Sequence, residues 1–129
     1  MKLFIIMLVT HWVSDFILQT DEMAKGKRKD WGCLLRHTVL YSMIWLLVGF
    51  FMTPNLYGSG ALEVGDWMCK VSMFVFITFI THTFVDYFTS RINYRLKVKN
   101  DMHNMFVVIG FDQMLHYLQL YFTYKIIFE

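Results

Sequence analysis

A chain of 129 residues is short enough to form one domain. Its 57% hydrophobic and 19% aromatic content argues against an ordinary soluble protein. The formal net charge of +2 decides nothing by its size, so the position of each charge carries the information.

The first element predicted is a helix over residues 3–19, apolar except where His11 and Asp15 interrupt it. A cleavable signal peptide would need a small-residue site next, but Gln19, Thr20, Asp21 and Glu22 follow. The stretch is therefore expected to remain as a helix. A basic connector comes after it, with Lys25, Lys27, Arg28 and Lys29, and Arg36 just beyond. The second helix is predicted over residues 33–53, uncharged from Thr38 to Met52 and without the polar stripe a soluble bundle helix needs.

A middle connector, residues 54–67, has the turn composition Pro54, Asn55, Gly58, Ser59 and Gly60, with Glu63 and Asp66 as its charges. The third helix is expected over 68–90 and the fourth over 104–124. Between them lies a second basic connector with Arg91, Arg95, Lys97 and Lys99. Each apolar stretch approaches the ~20 residues that cross a ~30 Å hydrocarbon layer. The expected fold is thus all-α, a polytopic bundle of four transmembrane helices forming a single domain over 1–129.

Basic connectors stay on the cytoplasmic side. The basic loops 20–32 and 91–103 are therefore expected to be cytoplasmic, in an inner membrane, with both termini outside. Their lysines and arginines serve topology and contact with anionic lipid. Short basic runs lying against a membrane suit nucleic acid poorly. Trp31, Tyr57 and Trp67 fall near the predicted interfaces as anchors. Cys33 and Cys69 fall at opposite ends of the bundle and cannot pair within one chain. A homodimer is compatible with so small a membrane chain, but no Gly-x-x-x-Gly motif marks an interface.

Three helices contain a His/Asp pair at four-residue spacing: His11 with Asp15, His82 with Asp86, and Asp112 with His116. Residues four apart share a helix face, so each pair presents an imidazole and a carboxylate to the same neighbour. Helices one and three run the same way and read His first, whereas helix four returns and reads Asp first. That reversal restores one spatial order, with Asp nearer the cytoplasm and His one turn deeper. Asp86 lies five residues, about 8 Å, from Arg91. His37, near the start of helix two, falls in the same half.

Ionisable groups left unpaired in hydrocarbon cost several kcal/mol, and their presence there is by default a functional signal. Mixed imidazole and carboxylate ligands suit zinc, manganese or iron, and helix bundles build such sites in their cores. The metal-ligand candidates are His11, Asp15, His37, His82, Asp86, Asp112 and His116. This set exceeds one tetrahedral ion and leaves room for two, or for a catalytic base among Asp15, His37, Asp86 and Asp112. Gln19, Ser90, Gln113 and Tyr41 extend the same faces and suit hydrogen bonding to the ligands. Arg36 and Arg91 are expected at the cavity mouth, binding a substrate phosphate together with Gln19 and Gln113. The competing structural account is a set of His–Asp hydrogen bonds joining helices, worth ~0.6–2 kcal/mol each.

The run His11-Trp-Val-Ser-Asp15-Phe-Ile-Leu-Gln19-Thr-Asp21, with Met23-Ala-Lys25 and the later His37, resembles a family of small membrane proteins of bacteria and their phages whose function is unassigned. His82-Thr-Phe-Val-Asp86 and Asp112-Gln113-Met-Leu-His116 fit the same pattern. The resemblance implies a multi-helix membrane protein. More loosely, the chain is similar to bacterial inner-membrane metal-dependent hydrolases, which implies hydrolysis without a full match of motif order.

Three functions follow as expectations. The first is a metal-dependent hydrolase acting on a lipid or lipid-linked phosphate from the cytoplasmic side. The second is a proton or ion transporter using an intramembrane His/Asp relay. The third is a non-catalytic, metal-stabilised membrane interaction protein.

Overall fold

The computed structural model describes residues 2–52 and 61–129, and every regular element among them is helical. Helix α1 spans Lys2–Trp12 and runs into a π-helical turn, Val13–Ile17; α2 is a short segment, Asp21–Gly26. Helices α3, Trp31–Phe51, α4, Ala61–Val98, and α5, Met102–Phe128, make up most of the chain. The middle connector's Pro54, Asn55, Gly58, Ser59 and Gly60, with the anchor Tyr57, lie outside the described residues, as does the Glu63 side chain.

Local chemistry sets the helix starts. Thr20 caps α2 by accepting from the Met23 amide at 3.2 Å, and Asp30 caps α3 by accepting from the Cys33 amide at 2.9 Å. Asp101 does the same for α5 through the Asn104 amide. The chain reverses between α4 and α5 at Asn100, whose φ of 58° is the left-handed conformation that asparagine tolerates.

Two corrections to the expected elements follow. The first helix is shorter than 3–19, because the π-turn ends it at Ile17. The second basic connector is largely helix, with Arg91, Arg95 and Lys97 on the last turns of α4. At 38 residues, α4 is about 57 Å long.

Two segments are long and apolar enough to cross a membrane, Trp31–Phe51 and Val64–Val98. Helix α1 is too short to join them, and α5 interrupts its apolar run with Asp112, Gln113, His116 and Gln119.

Helix α4 packs against α3 and α5, and α1 rests on both α3 and α5. At one end an apolar cluster of Met7, Tyr41, Trp45, Phe74, Leu120 and Ile127 fills the centre. At the other end the interior is polar. Among the described residues, fourteen buried ones are polar or charged against nine apolar, the reverse of a water-soluble core, while Phe84 is 65% and Ile126 82% exposed. Buried hydroxyls follow the rule for apolar surroundings: Ser14 and Ser42 each donate to the carbonyl four residues back.

Candidate metal centre

Six of the seven candidate ligands meet in the polar half of the bundle. Asp15 comes from the π-turn, His37 from the second turn of α3, His82 and Asp86 from α4, and Asp112 and His116 from α5. All six are buried, His37 and His82 completely. Such π-helical distortions recur at functional sites, and this one carries Asp15 just before the helix ends. Ser14 supports it by donating to the Thr10 and His11 carbonyls.

His37 Nε2 lies 3.1 Å from both Asp15 Oδ1 and Asp86 Oδ2. His82 Nε2 lies 3.5 Å and 3.7 Å from the same two oxygens, and the two ring nitrogens are 3.2 Å apart. A tetrahedral ion with bonds of about 2.0–2.1 Å sets its ligands about 3.3–3.4 Å apart. The five distances bracket that edge. Asp15 Oδ1 is buried with no hydrogen-bond partner, which fits an atom aimed at an ion. Asp15, His37, His82 and Asp86 could therefore hold one metal ion.

A surrounding layer fixes these groups. Gln113 Nε2 donates to Asp15 Oδ2 and Asp112 Oδ2, both at 3.1 Å. Thr89 donates to Asp112 Oδ1 at 2.7 Å. The Gln19 amide lies 3.2 Å from His37 Nδ1, so it can orient the ring that faces the carboxylates. His82 is stacked between Tyr41 and His116, with ring centroids 3.8 Å and 4.1 Å away.

His11, the seventh candidate, stands at the edge. Its Nε2 is 2.8 Å from Gln113 Oε1, which can only accept, so Nδ1 takes the hydrogen of the Tyr41 hydroxyl 2.8 Å away. Both ring nitrogens are thereby used, and His11 holds Gln113 in place.

Toward the basic end the cluster opens into a cavity of about 350 Å³. Asp15, Asp112, Gln19 and Gln113 face it from below, and Lys27, Arg28, Asn93 and Lys97 surround it. Arg36 and Arg91 stand elsewhere. Arg36 pairs with Glu22 on the surface at 2.9 Å, and Arg91 lies over the Tyr87 ring while donating to the Tyr87 carbonyl.

The cation that reaches the cluster is Lys27, whose Nζ is 2.9 Å from Asp86 Oδ2. Burial opposes its charge, but the neighbouring Asp86 and Asp15 carboxylates outweigh that and raise its pKa above the ordinary lysine value. Sequence reasoning counted Lys27 among the topological charges. Its one available signal was position, at the end of a helix too short to carry it away from the bundle.

A family model matches residues 3–129, and its description is "Protein of unknown function (DUF3307)". The chain belongs to the DUF3307 family. The uncharacterised membrane family suggested by the motif pattern is consistent with that match, and the hydrolase similarity gains no support from it. No curated protein and no solved structure matches the chain.

Proposed function

We propose that the chain is a membrane-embedded, metal-dependent hydrolase that acts on a lipid or lipid-linked phosphate from the cytoplasmic side. The observation that carries this reading is the convergence of His37, His82, Asp15 and Asp86 at ion-binding separations, beside a cavity rimmed by Lys27, Arg28 and Lys97. A divalent ion held there would lower the pKa of a bound water and polarise a phosphoryl oxygen.

The chain's own groups supply the rest. His37, His82, Asp15 and Asp86 are the ligands. With the one ion bound, Asp112, at the cavity floor and held by Thr89 and Gln113, is the carboxylate that orients the attacking water. Arg28 and Lys97 at the cavity rim receive the phosphate charge, which an apolar membrane surface would otherwise disfavour, while Lys27 stays paired with Asp86. The apolar exterior of all the long helices supports a multi-pass arrangement in which α1 and α5 share the membrane with α3 and α4. Under that arrangement the basic end is cytoplasmic.

The relay reading is weaker. The opposite end of the bundle is filled by the apolar cluster around Trp45 and Phe74, so the polar interior is one-sided among the described residues.

Elemental analysis of the detergent-purified protein beside His82→Ala, followed by phosphate-release assays on phospholipid and polyprenyl-phosphate substrates, tests the proposal. Near-stoichiometric zinc, manganese or iron that is lost in the variant, with turnover only in the wild type, is expected. Metal without turnover on either substrate class points to the non-catalytic interaction protein. Full metal in His82→Ala removes the site.

A further inference from the structure

Asp112 and His116 do not belong to the first ligand set, yet they meet its far side. His116 Nε2 is buried, has no hydrogen-bond partner, and lies 3.5 Å from Asp112 Oδ1 and 3.7 Å from Asp86 Oδ1. Asp15, Asp112 and His116 form a second group able to hold an ion. Asp86 thus shows one oxygen to His37 and His82 and the other to His116, and Asp15 belongs to both groups. A carboxylate divided in this way is placed to bridge two ions.

We infer that the centre binds two divalent ions, the second held by His116 and Asp112 and joined to the first through Asp86 and Asp15, and that it takes up the second ion together with a phosphate-monoester dianion. The inference rests on the metal reading above. The two sets differ in chemistry. The first has two imidazoles and two carboxylate oxygens at tetrahedral spacing. The second has one imidazole among carboxylates and suits an oxygen-preferring ion such as manganese.

Charge argues for the coupled anion. Three carboxylates lie close together in a buried site, and Lys27 plus one divalent ion balances them. A second divalent ion leaves two positive charges that burial does not tolerate uncompensated. A phosphate dianion entering from the cavity cancels both. Two ions held by these residues would supply charge stabilisation to a phosphoryl group bound between them and the cavity.

The test is manganese content by mass spectrometry, with electron paramagnetic resonance on the same samples, at saturating manganese with inorganic phosphate present. With phosphate, wild type is expected to hold two ions per chain and to give an exchange-coupled spectrum; a parallel sample without phosphate is expected to hold one, and two ions there overturn the coupled uptake. His116→Ala and the isosteric Asp112→Asn should each hold one ion, with the spectrum of isolated manganese and unchanged helical content by circular dichroism. One uncoupled ion in the wild type overturns the pair while leaving the single-ion reading standing. Two ions in both variants overturn the assigned ligands. No ion in the wild type overturns both readings.

Discussion

At the scale of residues, the centre depends on groups that satisfy one another across different helices. Lys27 is the clearest case, because its ammonium occupies the Asp86 oxygen that would ligate an ion. Lys27→Met should therefore separate two effects. Without metal, loss of one partner of a buried pair should lower stability by about 3 kcal/mol. Ion affinity should rise, since a competing cation is gone. Thermal unfolding in detergent with and without added metal checks both; weaker ion binding in the variant would mean that Lys27 assists the ion instead of competing with it.

Gln113 gives a second prediction. It holds His11, Asp15 and Asp112 at once, so Gln113→Ala should cost about 1–3 kcal/mol and weaken metal binding by about 10–100-fold. Competition with a chromophoric chelator measures the second figure. Five of the six residues that meet were legible in the sequence because spacing by four fixes a helix face regardless of tertiary detail, and His37 by its place near the start of the second helix; the same spacing wrongly added His11. Lys27 was not, since a lysine in a basic connector looks the same whether it faces lipid headgroups or turns inward. Arg36 and Arg91 were assigned to the mouth by proximity alone, and local partners, Glu22 and the Tyr87 ring, hold them away from it.

At the scale of elements, apolar runs locate helices well and their ends poorly. The π-turn at Val13–Ile17 has no signature in hydrophobic spacing; it depends on Ser14 bonding back to Thr10 and on contact with α3. The helical extension through Arg91, Arg95 and Lys97 was hidden for a similar reason, because a charged run signals a connector whether or not its backbone is helical.

The crossing of α3 and α4 depends on a feature that only the structure shows. A Cβ at Gly49 would stand 2.5 Å from Val71 Cγ1 and 3.0 Å from Cγ2, and Trp67 Nε1 donates to the Gly49 carbonyl at 3.0 Å. Valine is stiff about χ1 and cannot swing aside. Gly49→Ala should lower thermal stability by about 1–3 kcal/mol through overpacking, and Val71→Ala in the same chain should recover part of the loss. Independent, additive losses in the double variant would show that the two helices do not meet there.

At the scale of the whole molecule, the distribution of polarity is inverted and also graded along the bundle. Apolar side chains cover the outside, carboxylates and imidazoles fill one half of the interior, and lysines and arginines collect at that same end. An α4 of about 57 Å exceeds a ~30 Å hydrocarbon layer by nearly half its length. The surplus is best divided between the end bearing Asp66 and the end bearing Arg91, Arg95 and Lys97, since charged side chains within the hydrocarbon are costly.

Under the proposed membrane arrangement the cavity would lie at the headgroup level, where a lipid phosphate lies. The orientation that arrangement requires can be measured. In a background with Cys33 and Cys69 replaced by serine, a cysteine at Asp66 should react with a membrane-impermeant thiol reagent applied to the outer face of spheroplasts. A cysteine at Lys29 should react only after the cells are opened. The reverse pattern would turn the cavity away from the cytoplasm, and with it the leaflet from which a phosphate substrate could enter.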